Sequence, residues 1–161
     1  MFTGIIQAVG EVAAIEQTGG DVKLRIKTGA LPLEDVQLGD SIATNGVCLT
    51  VTELPGDGYW ADVSTETLSL TSLKGVVVGG AVNLEKSLTP TTALGGHLVS
   101  GHVDGLGRVV GLTRDARSWR VSIEAPADLA RDIAQKGSMC VDGPSLTVNA
   151  GEGERGELKS M

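Results

Sequence analysis

The chain has 161 residues, 41% of them hydrophobic and 20% charged, with a formal net charge of −7. That length suits one medium domain or two small ones, and no apolar run approaches a membrane span. The acidic balance, the scattered Lys and Arg and the scarcity of aromatic residues (2 Trp, 1 Tyr, 1 Phe) exclude an extended phosphate-binding or base-stacking surface, so nucleic acid drops out as a partner.

In chain order, Met1-Phe2-Thr3-Gly4 carries no basic segment followed by a long apolar stretch, so no signal peptide is expected. Two cysteines, Cys48 and Cys140, are too few for a disulfide scaffold, and a reduced, cytoplasmic setting fits best. Glycine is abundant, 23 residues in all, and recurs roughly every ten positions with short alternating runs between. Val22-Lys23-Leu24-Arg25-Ile26 has the period of a half-buried strand. Gly46 to Val51 reads as a turn glycine entering a strand, and Tyr59-Trp60-Ala61-Asp62-Val63 as another. Thr65-Glu66-Thr67 could be no more than a solvated turn and is suggestive only in combination, while Ala81-Val82-Asn83-Leu84 reads as a strand. Residues 126–136, with Leu129, Ile133 and the intervening alanines, form the one convincing helical stretch and suit a short amphipathic turn or two. Residues 156–160 are polar and poorly patterned. The class is all-β, with many short strands and tight turns.

An internal repeat organises the chain. A shift of 97 residues lays Thr3-Gly4-Ile5-Ile6 on Ser100-Gly101-His102-Val103, and Gly10 and Val12 on Gly107 and Val109. It lays Val22, Leu24 and Ile26 on Trp119, Val121 and Ile123, and Asn45 to Val51 on Asp142 to Val148. Two similar β-units are therefore predicted, residues 1–96 and 97–161, each a closed barrel or compact sandwich. Under the same shift the counterpart of residues 65–96 is missing, so the second unit is expected to lack its final strands.

Cys48 alone reads as a small buried hydrophobe. Ser145 in the equivalent place argues otherwise, because a buried hydroxyl needs a partner; two small polar groups at matched positions suggest two matched pockets. The glycine-rich stretch 94–105 carries both histidines and could be a linker. Yet glycine lets backbone approach a ligand closely, His is the usual proton carrier near neutrality, and His102 stands where the first copy has Ile5. No Cys-x-x-Cys or His-x3-His pair supports zinc, and no Gly-x-Ser-x-Gly, dinucleotide fingerprint or P-loop is present.

Several segments together resemble the riboflavin synthase α-chain family. They are Met1-Phe2-Thr3-Gly4-Ile5-Ile6, Asn45-Gly46-Val47-Cys48-Leu49-Thr50-Val51, Asp62-Val63-Ser64-x-Glu66-Thr67-Leu68 and Asn83-Leu84-Glu85. Gly95-Gly96-His97-x-x-Ser100-Gly101-His102 and Asp142-Gly143-x-Ser145-Leu146-Thr147-Val148 complete the set. The resemblance implies two similar six-stranded Greek-key barrels in tandem, the second incomplete here, and a C-terminal helix joining three subunits. It implies dismutation of 6,7-dimethyl-8-ribityllumazine: one molecule donates a four-carbon unit to another, giving riboflavin and a pyrimidinedione. No cofactor and no metal are implied; lumazine synthase is a further candidate partner. By position, the resemblance implies a first pocket of Gly4, Ile5, Ile6, Cys48, Leu49, Thr50, Asp62, Val63, Ser64, Thr65, Glu66 and Thr67. It implies a second of Gly101, His102, Val103, Lys136, Ser145, Leu146 and Thr147, with Ser41, Cys48, His102 and Thr147 nearest the chemistry. Pro144 departs from the family, since it replaces a residue with a backbone donor. The trimerising helix has no counterpart either, so the chain is expected to be C-terminally truncated and to turn over little substrate by itself. A lumazine- or flavin-binding protein of the same fold, without turnover, is the alternative.

Overall fold

Six strands form before residue 90 in the computed structural model, which describes residues 1–152 and 155–160. They are β1 (Ala8–Thr18), β2 (Asp21–Lys27), β3 (Ser41–Thr44), β4 (Val47–Glu53), β5 (Gly58–Val63) and β6 (Ala81–Lys86). All pair antiparallel and close a barrel in the order β1-β2-β5-β4-β3-β6. Alternation decides which side chains enter it. Val22, Leu24 and Ile26 of β2 point into the core, as do Val47, Leu49 and Val51 of β4. Outside, Lys23 pairs with Glu53 and lies 5.1 Å from the Trp60 ring, while Arg25 pairs with Asp57. Tyr59 is wholly buried and its hydroxyl bonds that of Thr44; burial pushes the phenol above its usual pKa. The β3–β4 hairpin turns on Asn45-Gly46, both at positive φ (48° and 78°), as a two-residue turn matching strand twist requires.

A second sheet follows: β7 (Arg108–Asp115), β8 (Ser118–Glu124), β9 (Ser138–Cys140), β10 (Ser145–Glu152) and β11 (Arg155–Ser160). Its order, β7-β8-β11-β10-β9, repeats the first five positions of the barrel. Among the described residues no strand stands between β9 and β7, where β6 closes the barrel. Matched positions show the effect: Val12 has 0% exposure and its counterpart Val109 has 59%, although Ile26 and Ile123 are both buried.

Three stretches differ in detail from their sequence patterns. The helical stretch over 126–136 holds one such turn, α2 (Ala127–Ala130), because Pro126 offers no side-chain cap and the rest is tied to β10. There the Lys136 amide donates to the Val148 carbonyl at 2.8 Å, and the Gln135 side-chain amide to the Asn149 carbonyl at 2.9 Å. The stretch that could be no more than a solvated turn opens α1 (Thr65–Leu70), capped by the Ser64 hydroxyl, which accepts the Thr67 amide at 3.1 Å. A short 3-10 turn, Ser72–Gly75, follows. Residues 156–160, read as unpatterned, lie in β11, paired with β8 on one side and β10 on the other; ladder bonds on both edges override weak propensity. The second unit thus holds a counterpart of β5. No helix among the described residues is long and apolar enough to cross a membrane.

Candidate functional site

Outward-facing positions of the barrel bring several expected residues onto one face. Ser41 pairs with Thr50 across β3 and β4, and Ala43 with Cys48. Asp62 is exposed on β5 opposite Lys23. Leu49 and Val63, by contrast, direct their side chains into the barrel core. Ser64 caps α1, and the Thr65 hydroxyl is occupied by the Gly20 carbonyl at 2.7 Å. Glu66 is exposed and Thr67 half-buried in the same first turn.

The second sheet repeats this arrangement. Ser138 pairs with Thr147, and Cys140 with Ser145, on β9 and β10. Ser138 is the counterpart of Ser41; the repeat shift, applied one strand earlier, would have found it. Leu146 turns inward to a small core with Ile123 and Val148. Pro144 shortens this hairpin ladder: the Val141 amide donates to the Pro144 carbonyl at 2.9 Å, and Pro144 has no N–H to return. Lys136 is exposed, at a left-handed φ of 68°.

The two halves meet by exchange. The Cys48 amide donates to the Gly101 carbonyl at 2.9 Å, and the Ser145 amide donates to the Gly4 carbonyl at 2.9 Å. Each turn glycine therefore serves the strand of the other repeat. Both approaches require glycine: a Cβ on Gly4, at φ 72°, would lie 2.3 Å from the Ser145 Cβ, and one on Gly101, at φ 78°, 2.9 Å from the Cys48 Cβ. The sequence grouped Gly4 with Cys48 and Gly101 with Ser145; within the chain the backbone joins them crosswise.

Two neighbours, His97 and Phe2, were not among the expected pocket residues. His97 Nδ1 lies 2.9 Å from Ser145 Oγ. Phe2, wholly buried, pairs with Val99 and packs its ring where a Gly101 side chain would be. Ile5 is half exposed, and the Ile6 Cδ1 fills the space beside Gly143. Val103 packs on the barrel core. His102 is exposed, its amide donating to the Ser100 hydroxyl at 3.1 Å.

An open groove of about 710 Å³ runs along the inner side of the second sheet, lined by Val109, Ile123, Leu129, Met139 and Val148 among others. Gly101, His102, Val103 and Ser145 reach it; Lys136, Leu146 and Thr147 do not. Its volume falls in the range of small-molecule sites, and its lining mixes these apolar side chains with polar ones such as Ser100, Asp104 and Asp132. Among the described residues no group of three or more His, Cys, Asp or Glu gathers as a metal site would require. Burial of the sulfur is the main cause that raises the Cys140 thiol above its ordinary pKa.

The lumazine binding domain family matches residues 3–87 and again 100–160. Riboflavin synthase of Photobacterium phosphoreum is 49% identical over 158 residues, covering 98% of this chain and 72% of that protein. Riboflavin synthase of Bacillus subtilis is 40% identical over 148 residues, 92% of this chain and 68% of that one. Among solved structures, LumP complexed with 6,7-dimethyl-8-(1'-D-ribityl) lumazine aligns with a TM-score of 0.84 at 25% identity, over 99% of this chain and 85% of LumP. LumP complexed with riboflavin aligns at 0.87 and 26% identity, over 99% and 86%.

Proposed function

The chain belongs to the riboflavin synthase family, and on that premise we propose that it takes part in the dismutation of two 6,7-dimethyl-8-ribityllumazine molecules. One gives up a four-carbon unit to the other, yielding riboflavin and a pyrimidinedione. The duplication carries the reading: Ser41, Cys48 and Thr50 on one sheet have Ser138, Ser145 and Thr147 in the same places on the other. A reaction that consumes two copies of one molecule is served by two like sites. Holding two flat rings in contact can replace on the order of 7–11 kcal/mol of barrier.

In this reading residues 1–96 and 97–161 are two lumazine-binding units, the second a barrel opened at its sixth position. Gly4, Ile5, Ile6, Cys48, Leu49, Thr50 and residues 62–67 serve one ring. Gly101, His102, Val103, Lys136, Ser145, Leu146 and Thr147 serve the other. Ser41, Cys48, His102 and Thr147 stand next to the reacting atoms. His102, an imidazole on the groove, suits proton transfer at the acidic 7-methyl group. The hydroxyls and the Cys48 thiol suit activation of the nucleophile that adds to the donor ring. Copies of the chain assemble, as a trimer, so that the first site of one meets the second site of another. Lumazine synthase is a further candidate partner in this reading, and the cytoplasm the compartment.

The test is to mix the chain with the lumazine and follow riboflavin by absorbance and fluorescence. Riboflavin appearing with stoichiometric pyrimidinedione supports turnover. Binding without turnover supports the second reading, a lumazine- or flavin-binding protein, which the likeness to ligand-bound LumP favours.

A further inference from the structure

A buried carboxylate stands behind one of the crossed contacts. Glu85 lies on β6 between the inward-facing Val82 and Leu84 and its neighbour Lys86, pairs with Ala43 of β3, and is 2% exposed. Its Oε1 accepts from the amide and the hydroxyl of Thr3, both at 2.6 Å, and its Oε2 from the Gly4 amide at 3.0 Å. Among the described residues no Lys, Arg or His forms an ion pair with it. Carboxylates are costly to bury unless hydrogen bonds fill their oxygens, and here every donor comes from one two-residue turn. The carbonyls of that turn face the other repeat: Thr3 O accepts from the His97 amide and Gly4 O from the Ser145 amide, each at 2.9 Å. The side chains those amides carry, His97 Nδ1 and Ser145 Oγ, meet at 2.9 Å.

We propose that Glu85 is a positioning residue: by gripping the donor side of the Thr3–Gly4 turn it aims the turn's carbonyls, and so sets the His97–Ser145 pair at the second lumazine site. This rests on Ser145 belonging to such a site. A carboxylate suits the task because it only accepts, and three donors converge on it. The isosteric amide of Glu85→Gln keeps one accepting oxygen but presents its NH2 to a donor, so the turn can no longer be held from both oxygens. Three features make the geometry intolerant of relaxation: the left-handed Gly4, the absence of space beside it, and the two-bond clamp on the opposite side.

The chain has just two histidines, which gives the test an internal control. Long-range proton–nitrogen spectra of the imidazoles and riboflavin titration by fluorescence quenching are recorded for wild type, Glu85→Gln, Thr3→Val and Thr3→Ser. Glu85→Gln is expected to move the His97 ring signals and leave those of His102 in place, and to weaken riboflavin binding about tenfold, which is about 1.4 kcal/mol. Thr3→Val moves the same signals less, and Thr3→Ser, which keeps the hydroxyl, matches wild type. If Glu85→Gln does not fold, Thr3→Val against Thr3→Ser decides by the same two readouts. Unmoved His97 signals, unchanged affinity, or both histidines shifting together with a lowered melting point would overturn the positioning role. Wild type failing to bind riboflavin would instead overturn the lumazine-site reading on which it rests.

Discussion

Phe2 and Val99 each donate a main-chain N–H to the other's carbonyl, at 2.8 and 3.0 Å, and each is the other's counterpart in the repeat. An exchange between equivalent residues places an approximate twofold axis between them. Gly46 and Gly143 meet on that axis as well, so closely that a Cβ on Gly46 would come within 2.8 Å of the Gly143 nitrogen. The Gly4–Ser145 and Gly101–Cys48 bonds are the two symmetric arms of the same interface.

Gly4 tests one arm. Gly4→Ala adds a methyl group against Ser145 at left-handed φ, whereas Gly39, also at positive φ (92°), has nothing within 4 Å of its added Cβ. Gly39→Ala should cost about 1 kcal/mol from backbone strain and Gly4→Ala roughly 2–4 kcal/mol, because it also overpacks the interface. Urea unfolding of the two variants measures the difference; equal losses would mean that the repeats do not touch at Gly4 in solution.

The closed barrel and the open sheet should respond differently to one substitution. Val12→Ala removes buried methyl groups and should destabilise by about 2 kcal/mol, while Val109→Ala should stay within about 0.5 kcal/mol. Amide exchange should agree, with slow exchange in β2 and β4 and fast exchange on the free edges of β7 and β9. Comparable losses for both valines would show that the second sheet is covered in solution.

Cys48 distinguishes a pocket from a core. It points outward from the barrel, half-buried beside Gly101. Cys48→Ser should fold and bind riboflavin with only moderate loss, since Ser145 occupies the matched place. A bulky maleimide on Cys48 should abolish binding. An unreactive native thiol together with an unfolded Cys48→Ser variant would return the residue to a packing role.

Cys140 gives a pH signature. Its thiol pKa is raised, first by burial of the sulfur and then by the nearby negative charges of Glu85 and Asp142, with the Gly143 backbone acting the other way. Thiolate is the reactive form, so a raised pKa means slower alkylation at a given pH. The alkylation profile of Cys140 should therefore lie at higher pH than that of a small-molecule thiol, and Asp142→Asn should move it back toward lower pH. A profile at or below the free-thiol position would contradict the arrangement around β9.

The 97-residue shift was legible because period-2 alternation survives wherever a strand keeps one buried face, and Val22, Leu24 and Ile26 retain it against Trp119, Val121 and Ile123. Residues 156–160 had no such signal; β11 exists because β8 and β10 offer it two ladders. The short helical turn within 126–136 was legible, because Leu129 and Ile133 keep a helical spacing, but its end at Ala130 was not, since turns tied to β10 replace it. For the site, the shift supplied which residues correspond but not which sheet each turn lies against. That depends on long-range main-chain bonds such as Ser145 to Gly4, which leave no pattern in either segment. Glu85 escaped for a related reason, since a lone acidic residue in a strand normally marks the solvent face.

An approximate dyad inside one chain is a template for a true one between chains. The strip of barrel that receives Val99 and Gly101 accepts main-chain groups, not particular side chains, and the first repeat carries its own version of both in Phe2 and Gly4. Residues 1–96 expressed alone would keep the closed barrel and its core but leave that strip bare. Two such fragments could satisfy each other, Phe2 bonding Phe2 and each Gly4 carbonyl taking the other's Cys48 amide. The half-molecule would then be a symmetric pair bearing two copies of one site, and the unequal halves of the present chain would be what duplication adds: freedom for one face to become a donor's and the other an acceptor's.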